Sequence, residues 1–170
     1  MCRMEQPRSV ISTSEIERKF LVKEIPFSLE GYPCVDIEQG YIDGTSNALH
    51  VRVRRISERY ILTIKHGSGI ERTEVELELG AVQAAALWPL TSGRRLTKTR
   101  YTVPLGMHKV ELDVYRGRHT GLILCEVEFD SLESAERFDA PEWFGRDVTS
   151  DARYGNYYLA CLQTAPDPIG

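Results

Sequence analysis

Paired ionic side chains recur at an interval of two along this chain. Glu15, Glu17 and Lys19 stand in the run Glu15-Ile16-Glu17-Arg18-Lys19. Arg52 and Arg54, Thr63 and Lys65, Lys98 and Arg100, Glu111 and Asp113, and Glu126 and Glu128 repeat the interval, and Arg72, Glu74, Glu76 and Glu78 prolong it. Carboxylates so placed are hard oxygen donors suited to a divalent cation such as Mg²⁺ or Mn²⁺. Guanidinium and ammonium groups so placed suit phosphate oxygens, arginine through a two-pronged fork and lysine as a point charge. The combination fits metal-assisted handling of a polyphosphate, where neutralisation and alignment matter more than covalent help.

An interval of two places side chains on one face only when the backbone is extended. The elements that position these charges must therefore be strands. The spacing predicts strands near 14–23, 35–42, 49–55, 60–65, 72–79, 96–103, 109–115 and 122–129. The opposite parity is apolar: Ile16 and Phe20, Val51 and Val53, Leu62 and Ile64, Val75 and Leu77, Val110 and Leu112, Val127 and Phe129. Turn signals at Asp43-Gly44, Ser57-Glu58, Gly67-Ser68-Gly69 and Pro104-Leu105-Gly106 separate the strands. Helices are expected at 81–90, from Asp130 or Ser131 to 138, and at 150–163. The fold class is mainly β (α+β), an eight-stranded antiparallel closed barrel with a few flanking helices.

The charge parity fits two arrangements. A solvated face of an open sheet gives the same alternation. An enclosed polar face gives it too, because a sheet of this size curls or closes and its helices must cover the apolar outside. Side-by-side like charges repel. A cation among the carboxylates and a polyphosphate among the basic residues would relieve that repulsion.

At 170 residues, with 42% apolar and 27% charged content, the chain reads as one soluble globular domain. Residues 1–12 are expected to be a disordered lead-in, 13–163 the domain and 164–170 a tail. A net charge of −4 gives no reason to expect nucleic acid as a partner. Cys2, Cys34, Cys125 and Cys161 are scattered without zinc or disulfide spacing, so free thiols in the cytoplasm are expected. No apolar leader or bilayer-length run is visible, and no membrane association is expected. His50, His66, His108 and His119 fall near strand ends and turns and read as surface residues.

The motifs also resemble a known family. Glu15-x-Glu17-x-Lys19 is similar to the ExExK signature of the CYTH superfamily, the triphosphate tunnel metalloenzymes. Gln39-Gly40-Tyr41, Arg52-x-Arg54, Thr63-x-Lys65, Arg72-x-Glu74-x-Glu76, Lys98-Thr99-Arg100-Tyr101, Glu111-x-Asp113, Glu126-x-Glu128 and Arg153-Tyr154-x-Asn156 follow in that family's order. The ordered set spans about 13–163 and looks closest to short bacterial members resembling inorganic tripolyphosphatases.

The resemblance implies an antiparallel tunnel around a small-molecule triphosphate, hydrolysed with Mg²⁺ or Mn²⁺. It implies metal ligands at Glu15, Glu17, Asp113, Glu126 and Glu128, and substrate contacts at Lys19, Arg52, Arg54, Lys65, Arg72, Lys98, Arg100 and Arg153. A lysine–tyrosine base would fall on Lys19 and Tyr41. A homodimer is compatible with the family. Adenylate cyclases and thiamine triphosphatases share the tunnel, and a non-catalytic polyphosphate-binding barrel is a further reading. No stretch offers an apolar adenine slot on the tunnel face, which favours tripolyphosphate as substrate.

Overall fold

Alternation of charged and apolar residues drives the chain into strands, and the strands wrap the charges inward. The computed structural model describes residues 11–42, 49–66, 71–164 and 166, with the backbone alone for 11–15 and 71–73. The strands are β1 (Ile11–Leu21), β2 (Cys34–Ile42), β3 (Leu49–Ile56), β4 (Arg59–His66), β5 (Glu71–Leu79), β6 (Arg95–Leu105), β7 (His108–Tyr115) and β8 (Ile123–Phe129). The helices are α1 (Ala81–Leu87), α2 (Leu132–Arg137) and α3 (Asn156–Cys161). The architecture is mainly antiparallel β with few helices. Among the described residues no helix is long and apolar enough to cross a membrane.

The ladders run in the order β1-β5-β4-β3-β2-β6-β7-β8, all antiparallel, and return to β1. The closure differs from a simple barrel. The first half of β1, Ile11 to Ile16, pairs with β5, and the second half, Ile16 to Leu21, pairs with β8. Within β1, Ile16 is therefore the one described residue with a ladder partner on both sides. The sheet is a curled one joined through a staggered seam. Segment 145–149 lines that seam: Gly145 N–H donates to Leu21 O at 2.7 Å, and Val148 N–H donates to Lys19 O at 2.8 Å.

Outward residues of β1, β6, β7 and β8 make the main core. Val110, Leu112, Cys125 and Val127 are fully buried there beneath Ala135 of α2 and Phe144. Each such aliphatic side chain contributes roughly 1.5–3 kcal/mol by leaving water. Phe20 packs on Phe144 at 4.9 Å between ring centroids. A second core, with Leu21, Leu96, Tyr115, Leu122, Leu124, Tyr154 and Leu159, fills one end of the curl. It contains inward residues of β1, β6, β7 and β8, so the interior is not ionic throughout.

Some boundaries differ from expectation. β1 already includes Ile11 and Ser12, placed above in the lead-in, while residues 1–10 lie outside the described ones. The Asp43-Gly44 and Gly67-Ser68-Gly69 turns also lie outside them. Of the two candidate caps on α2, Ser131 accepts from Ser134 N–H. The single helix expected over 150–163 is a 3₁₀ turn at Ala152–Tyr154 followed by α3. Gly155 separates them with ψ 137°, an extended conformation that ends the first turn.

His119 corrects the expectation of four surface histidines. It is fully buried, with Nε2 2.7 Å from Leu159 O of α3. His108 packs edge-on against Phe129 and Phe138, and only His66 is exposed as expected. Cys34 and Cys161 are exposed free thiols and Cys125 a buried one, while Cys2 lies outside the described residues.

Candidate functional site

The strand register carries the paired charges into one space. A cavity of about 470 Å³ is lined by Glu17, Lys19, Tyr41, Arg52, Arg54, Lys65, Glu74, Glu76, Lys98, Arg100, Glu111, Glu126 and Glu128. Cross-strand pairing explains the assembly: Lys19 stands opposite Glu126, Glu111 opposite Glu126, Arg100 opposite Asp113 and Lys65 opposite Glu74. The enclosed arrangement, not the open wet face, is the one formed.

Arg100 is the hub of one wall. Its Nε donates to Asp113 Oδ1 at 2.7 Å and its outer nitrogen to Asp113 Oδ2 at 2.7 Å. The guanidinium also donates to Glu126 at 2.7 Å and to Glu111. Lys98 Nζ reaches Asp113 Oδ2 at 2.5 Å, and Lys19 Nζ reaches Glu126 at 2.8 Å. Burial would raise the Asp113 carboxyl, but Arg100 and Lys98 outweigh it and hold the group below the usual range. The same contest, with Lys19 and Arg100 as the winning charges, leaves Glu126 well below its ordinary value. Burial and the neighbouring Arg100 push Lys98 down to about 8.

Asp113, expected as a metal ligand, is placed beside Lys98 and Arg100 in this structure. It is 1% exposed, lies behind the cavity lining, and has both oxygens committed to Arg100 and Lys98. Its place makes it the counter-ion that orients two cations. Arg153 departs from expectation too. It lies on the outside, 58% exposed in its side chain, held by Asp151 at 2.7 Å, and does not line the cavity. The 3₁₀ turn capped by Asp151 directs it there.

Arg52 and Arg54 face the opposite wall of the cavity. Arg52 donates to Glu74 at 2.9 Å, Arg54 donates to Glu76 and to Thr63 at 3.1 Å, and Lys65 stands 2.5 Å from Glu74. Burial and the adjacent Arg52 lower Arg54 to about 10. The Nε of both arginines is buried with no hydrogen-bond partner among the described residues. Buried donors without acceptors are costly, a cost carried here by a wall that also gathers Lys65 on the cavity lining.

Across the cavity the carboxylates crowd. Glu17 stands opposite Glu128 in the β1–β8 ladder. Burial first, then Glu111, with Glu17 and Glu126 adding, raises the Glu128 carboxyl above its ordinary value. A carboxylate pushed up by its neighbours is one that a divalent cation would relieve. Among the described residues no three metal-donor side chains are already gathered as a ligand cluster. The fit to a cation thus rests on donor type and on this crowding. The backbone places Glu15 next to Glu17 in β1 and opposite Arg72 of β5. The side chains of Glu15 and Arg72 lie outside the described ones.

Tyr41 is buried, its hydroxyl accepting from the Gln39 amide at 3.0 Å. Lys19, its expected companion, is engaged by Glu126. Behind Tyr41, a Cβ on Gly40 would come within 2.4 Å of the Thr91 Oγ1, so only glycine lets the 88–91 corner press against β2.

Two groups of lining residues went unrecognised in the sequence. His50 and Tyr157 join Tyr41 in ring contact, His50–Tyr157 at 4.6 Å and Tyr41–Tyr157 at 5.3 Å. His50 shares the parity of Arg52 and Arg54, and that signal was readable. Tyr157 arrives from α3, which no strand pattern could place. Val35, Ile37, Ile56 and Ile61 also line the cavity, contrary to the expected absence of an apolar stretch on the tunnel face.

Comparison with known proteins agrees with this geometry. The CYTH domain matches residues 13–156. A protein named inorganic triphosphatase from Nitrosomonas europaea is 42% identical over 149 residues, 86% of this chain and 97% of the relative. Another of that name, from Acetivibrio thermocellus, is 33% identical over 147 residues, 85% of this chain and 92% of the relative. Among solved structures, a crystal structure of an inorganic triphosphatase superposes with a TM-score of 0.67 at 39% identity, covering 88% of this chain and 96% of that one.

Proposed function

This chain belongs to the CYTH family, and from that premise we propose that it hydrolyses a triphosphate, inorganic tripolyphosphate first, to pyrophosphate and phosphate. One observation carries the reading: a cavity lined by Arg52, Arg54 and Lys65 on one wall whose far wall crowds the carboxylates of Glu17, Glu111 and Glu128. A basic wall alone would bind anions; the carboxylates opposite add a place for a cation beside the bound anion.

Arg52, Arg54 and Lys65 would hold the phosphate chain, with Arg100 approaching from β6. Glu74 and Glu76, which pair with the cations of β3 and β4 now, keep them oriented before substrate arrives. Glu17 and Glu128, with Glu15 beside them, would hold Mg²⁺ or Mn²⁺, and Glu126 would share in it while keeping Lys19 in place. The cation's contribution is to neutralise phosphoryl oxygens and lower the pKa of water. Lys98, brought down to about 8 by burial and Arg100, is suited to give up a proton near neutral pH. Tyr41, fixed by Gln39, would orient a phosphoryl oxygen or the attacking water. Enclosure strengthens each of these ionic contacts relative to water.

The test is kcat/KM for tripolyphosphate, ATP and thiamine triphosphate with Mg²⁺ and with Mn²⁺. Tripolyphosphate is expected to be cleaved fastest, with release of orthophosphate and pyrophosphate. Accumulation of cyclic AMP, or a higher value for either organic triphosphate, would overturn the substrate assignment.

A further inference from the structure

Two residues of the cavity lining come from a helix rather than a strand. Asn156 and Tyr157 open α3, and both line the space shared with Tyr41 and Lys98. A helix of six residues is too short to hold itself in water, so tertiary contacts must place it. Leu159 and Ala160 anchor it as fully buried residues. The 3₁₀ turn Gly117–His119, which follows β7, grips its last turn. His119 Nε2 lies 2.7 Å from Leu159 O, and the Arg118 guanidinium donates to Ala160 O. At the first turn the Tyr157 ring packs edge-on against Tyr41 at 5.3 Å. Beside it, the hydroxyl of Tyr115, the last residue of β7, donates to Asn156 Oδ1 at 2.6 Å.

That last contact fixes which end of the Asn156 amide is spent. Tyr115 is 2% exposed, and a buried phenol requires an acceptor for its proton. Asn156 Oδ1 is the acceptor, so the amide NH2, with two protons to give, is left for the cavity. Its surroundings suit an oxyanion. The Tyr115 ring also backs Lys98: the two residues are register partners, with Nζ 5.6 Å from the ring centroid. Lys98 and Arg100 already bring two like charges to this wall, and another cation would add to their repulsion. A neutral amide adds a donor for a phosphate oxygen without adding charge.

We propose that Asn156 is a substrate-binding residue, its side-chain NH2 donating to a phosphate oxygen beside Lys98, and that Tyr115 is the positioning residue that aims it. The proposal rests on the triphosphatase reading above and deepens it, because it extends phosphate recognition from the strands to α3.

The test uses the whole chain and measures calorimetric binding of tripolyphosphate, kcat/KM for its hydrolysis with Mg²⁺, and a melt of each variant. Tyr115→Phe combined with Asn156→Leu removes both partners at matched shape, so no buried hydroxyl is stranded. It should melt close to wild type and bind tripolyphosphate about tenfold more weakly, the scale of one hydrogen bond to a charged group. Tyr115→Phe alone keeps the amide but not its aim, and should lose affinity by less than the double variant. Asn156→Asp separates contact from support. Its carboxylate still accepts from Tyr115, but it offers no NH2 and sets a negative charge beside the phosphates. Affinity and kcat/KM should fall on the order of 10²-fold while Tm holds. Wild-type affinity in Asn156→Asp, or in a double variant that melts normally, would overturn the proposal by leaving Asn156 a structural partner of Tyr115. A greater loss from Tyr115→Phe alone than from the double variant would overturn it too, by assigning the effect to the phenol. If the double variant melts far below wild type, Asn156→Asp decides. Binding of tripolyphosphate by wild type without cleavage would defeat the triphosphatase reading, and the affinities would still decide the role of Asn156.

Discussion

Glu126 and Glu128 stand two residues apart on β8 and line the same cavity, yet their carboxyls shift in opposite directions. Both feel burial, which raises a carboxyl. Glu126 has Lys19 opposite it at 2.8 Å and Arg100 at 2.7 Å, and these cations bring it well below the usual range. Glu128 has Glu17 opposite it in the ladder and Glu111 nearby, so its carboxyl rises. The residue type and the strand face are identical. The cross-strand neighbour decides whether the charge is settled within the protein or left for something to be bound. Asp113, closed between Arg100 and Lys98, belongs with Glu126 on the settled side.

If that division is right, substitutions in the settled group should unfold the chain and those in the other group should not. Arg100→Ala is the largest expected effect. It leaves Asp113, 1% exposed, with Lys98 alone and removes a partner from Glu126 and Glu111. Breaking a buried pair costs about 3–5 kcal/mol, a fall in Tm of roughly 6–20 °C for a chain of this size. Thermal melting checks it, and a Tm near wild type would erase the distinction between the two groups.

Glu128→Gln should act on chemistry instead. Hydrolysis is expected to fall by on the order of 10²-fold, the scale of losing one electrostatic group in a site. The sign for stability follows from the raised carboxyl. A group whose folded pKa lies above its unfolded value is penalised when ionised, so that penalty is present at pH 7 and absent once pH falls below the carboxyl range. Glu128→Gln should therefore melt no lower than wild type at pH 7 without metal, and its difference from wild type should vanish in acid. Added Mg²⁺ or Mn²⁺ should raise the Tm of wild type more than that of the variant. Glu126→Gln, by contrast, should melt lower at pH 7. Equal behaviour of the two glutamines would break the comparison.

Arg54→Ala is expected to raise the KM for tripolyphosphate about tenfold, as loss of a hydrogen bond to a charged group does, with little change in Tm. Burial and Arg52 already work against its charge, so removing it relieves crowding. Steady-state kinetics and a melt on one preparation measure both effects.

The smallest effect lies outside the cavity. Asp147 accepts from Arg18 at 3.0 and 2.7 Å and from Thr149 N–H at 2.9 Å, and it fastens segment 145–149 to β1. Burial opposes its ionisation, but the Thr149 and Arg18 hydrogen bonds outweigh it, and its carboxyl is lowered. The stability it adds is present above the unfolded carboxyl pKa and is lost as pH falls through the lower folded value. Asp147→Asn should cost about 1 kcal/mol or less at pH 7, given the screening of a partly exposed pair. The difference should close in acid, which melting across pH would show.

Much of this site was legible before folding because a strand has a fixed period. Once Glu17, Lys19, Arg52, Arg54, Lys65, Lys98, Arg100, Glu126 and Glu128 are read as strand residues, the pleat alone sends each to the same face as its partner two residues away. Eight short strands with apolar opposite faces then require a curled sheet with helices outside. The order of motifs added the family. His50 was equally legible by parity, although its place near a strand end suggested the surface.

The remainder depended on which strands became neighbours. Period says that Asp113 points inward; it does not say that Arg100 and Lys98 stand opposite and beside it and take both oxygens. It says that Val35, Ile37, Ile56 and Ile61 share the charged face. Only the ladders set Ile37 between Ile56 and Lys98, Val35 beside Arg100 and Ile61 beside Arg54. Arg153 and Tyr157 lie within four residues of each other, and the extended backbone at Gly155 sends one to the outside and the other into the cavity. The sequence by itself determined the faces, because side-chain alternation is local to each strand. Tertiary structure alone decided which charges neutralise one another and which crowd together, because that depends on register between segments far apart in the chain and on Coulomb forces acting across a few ångströms.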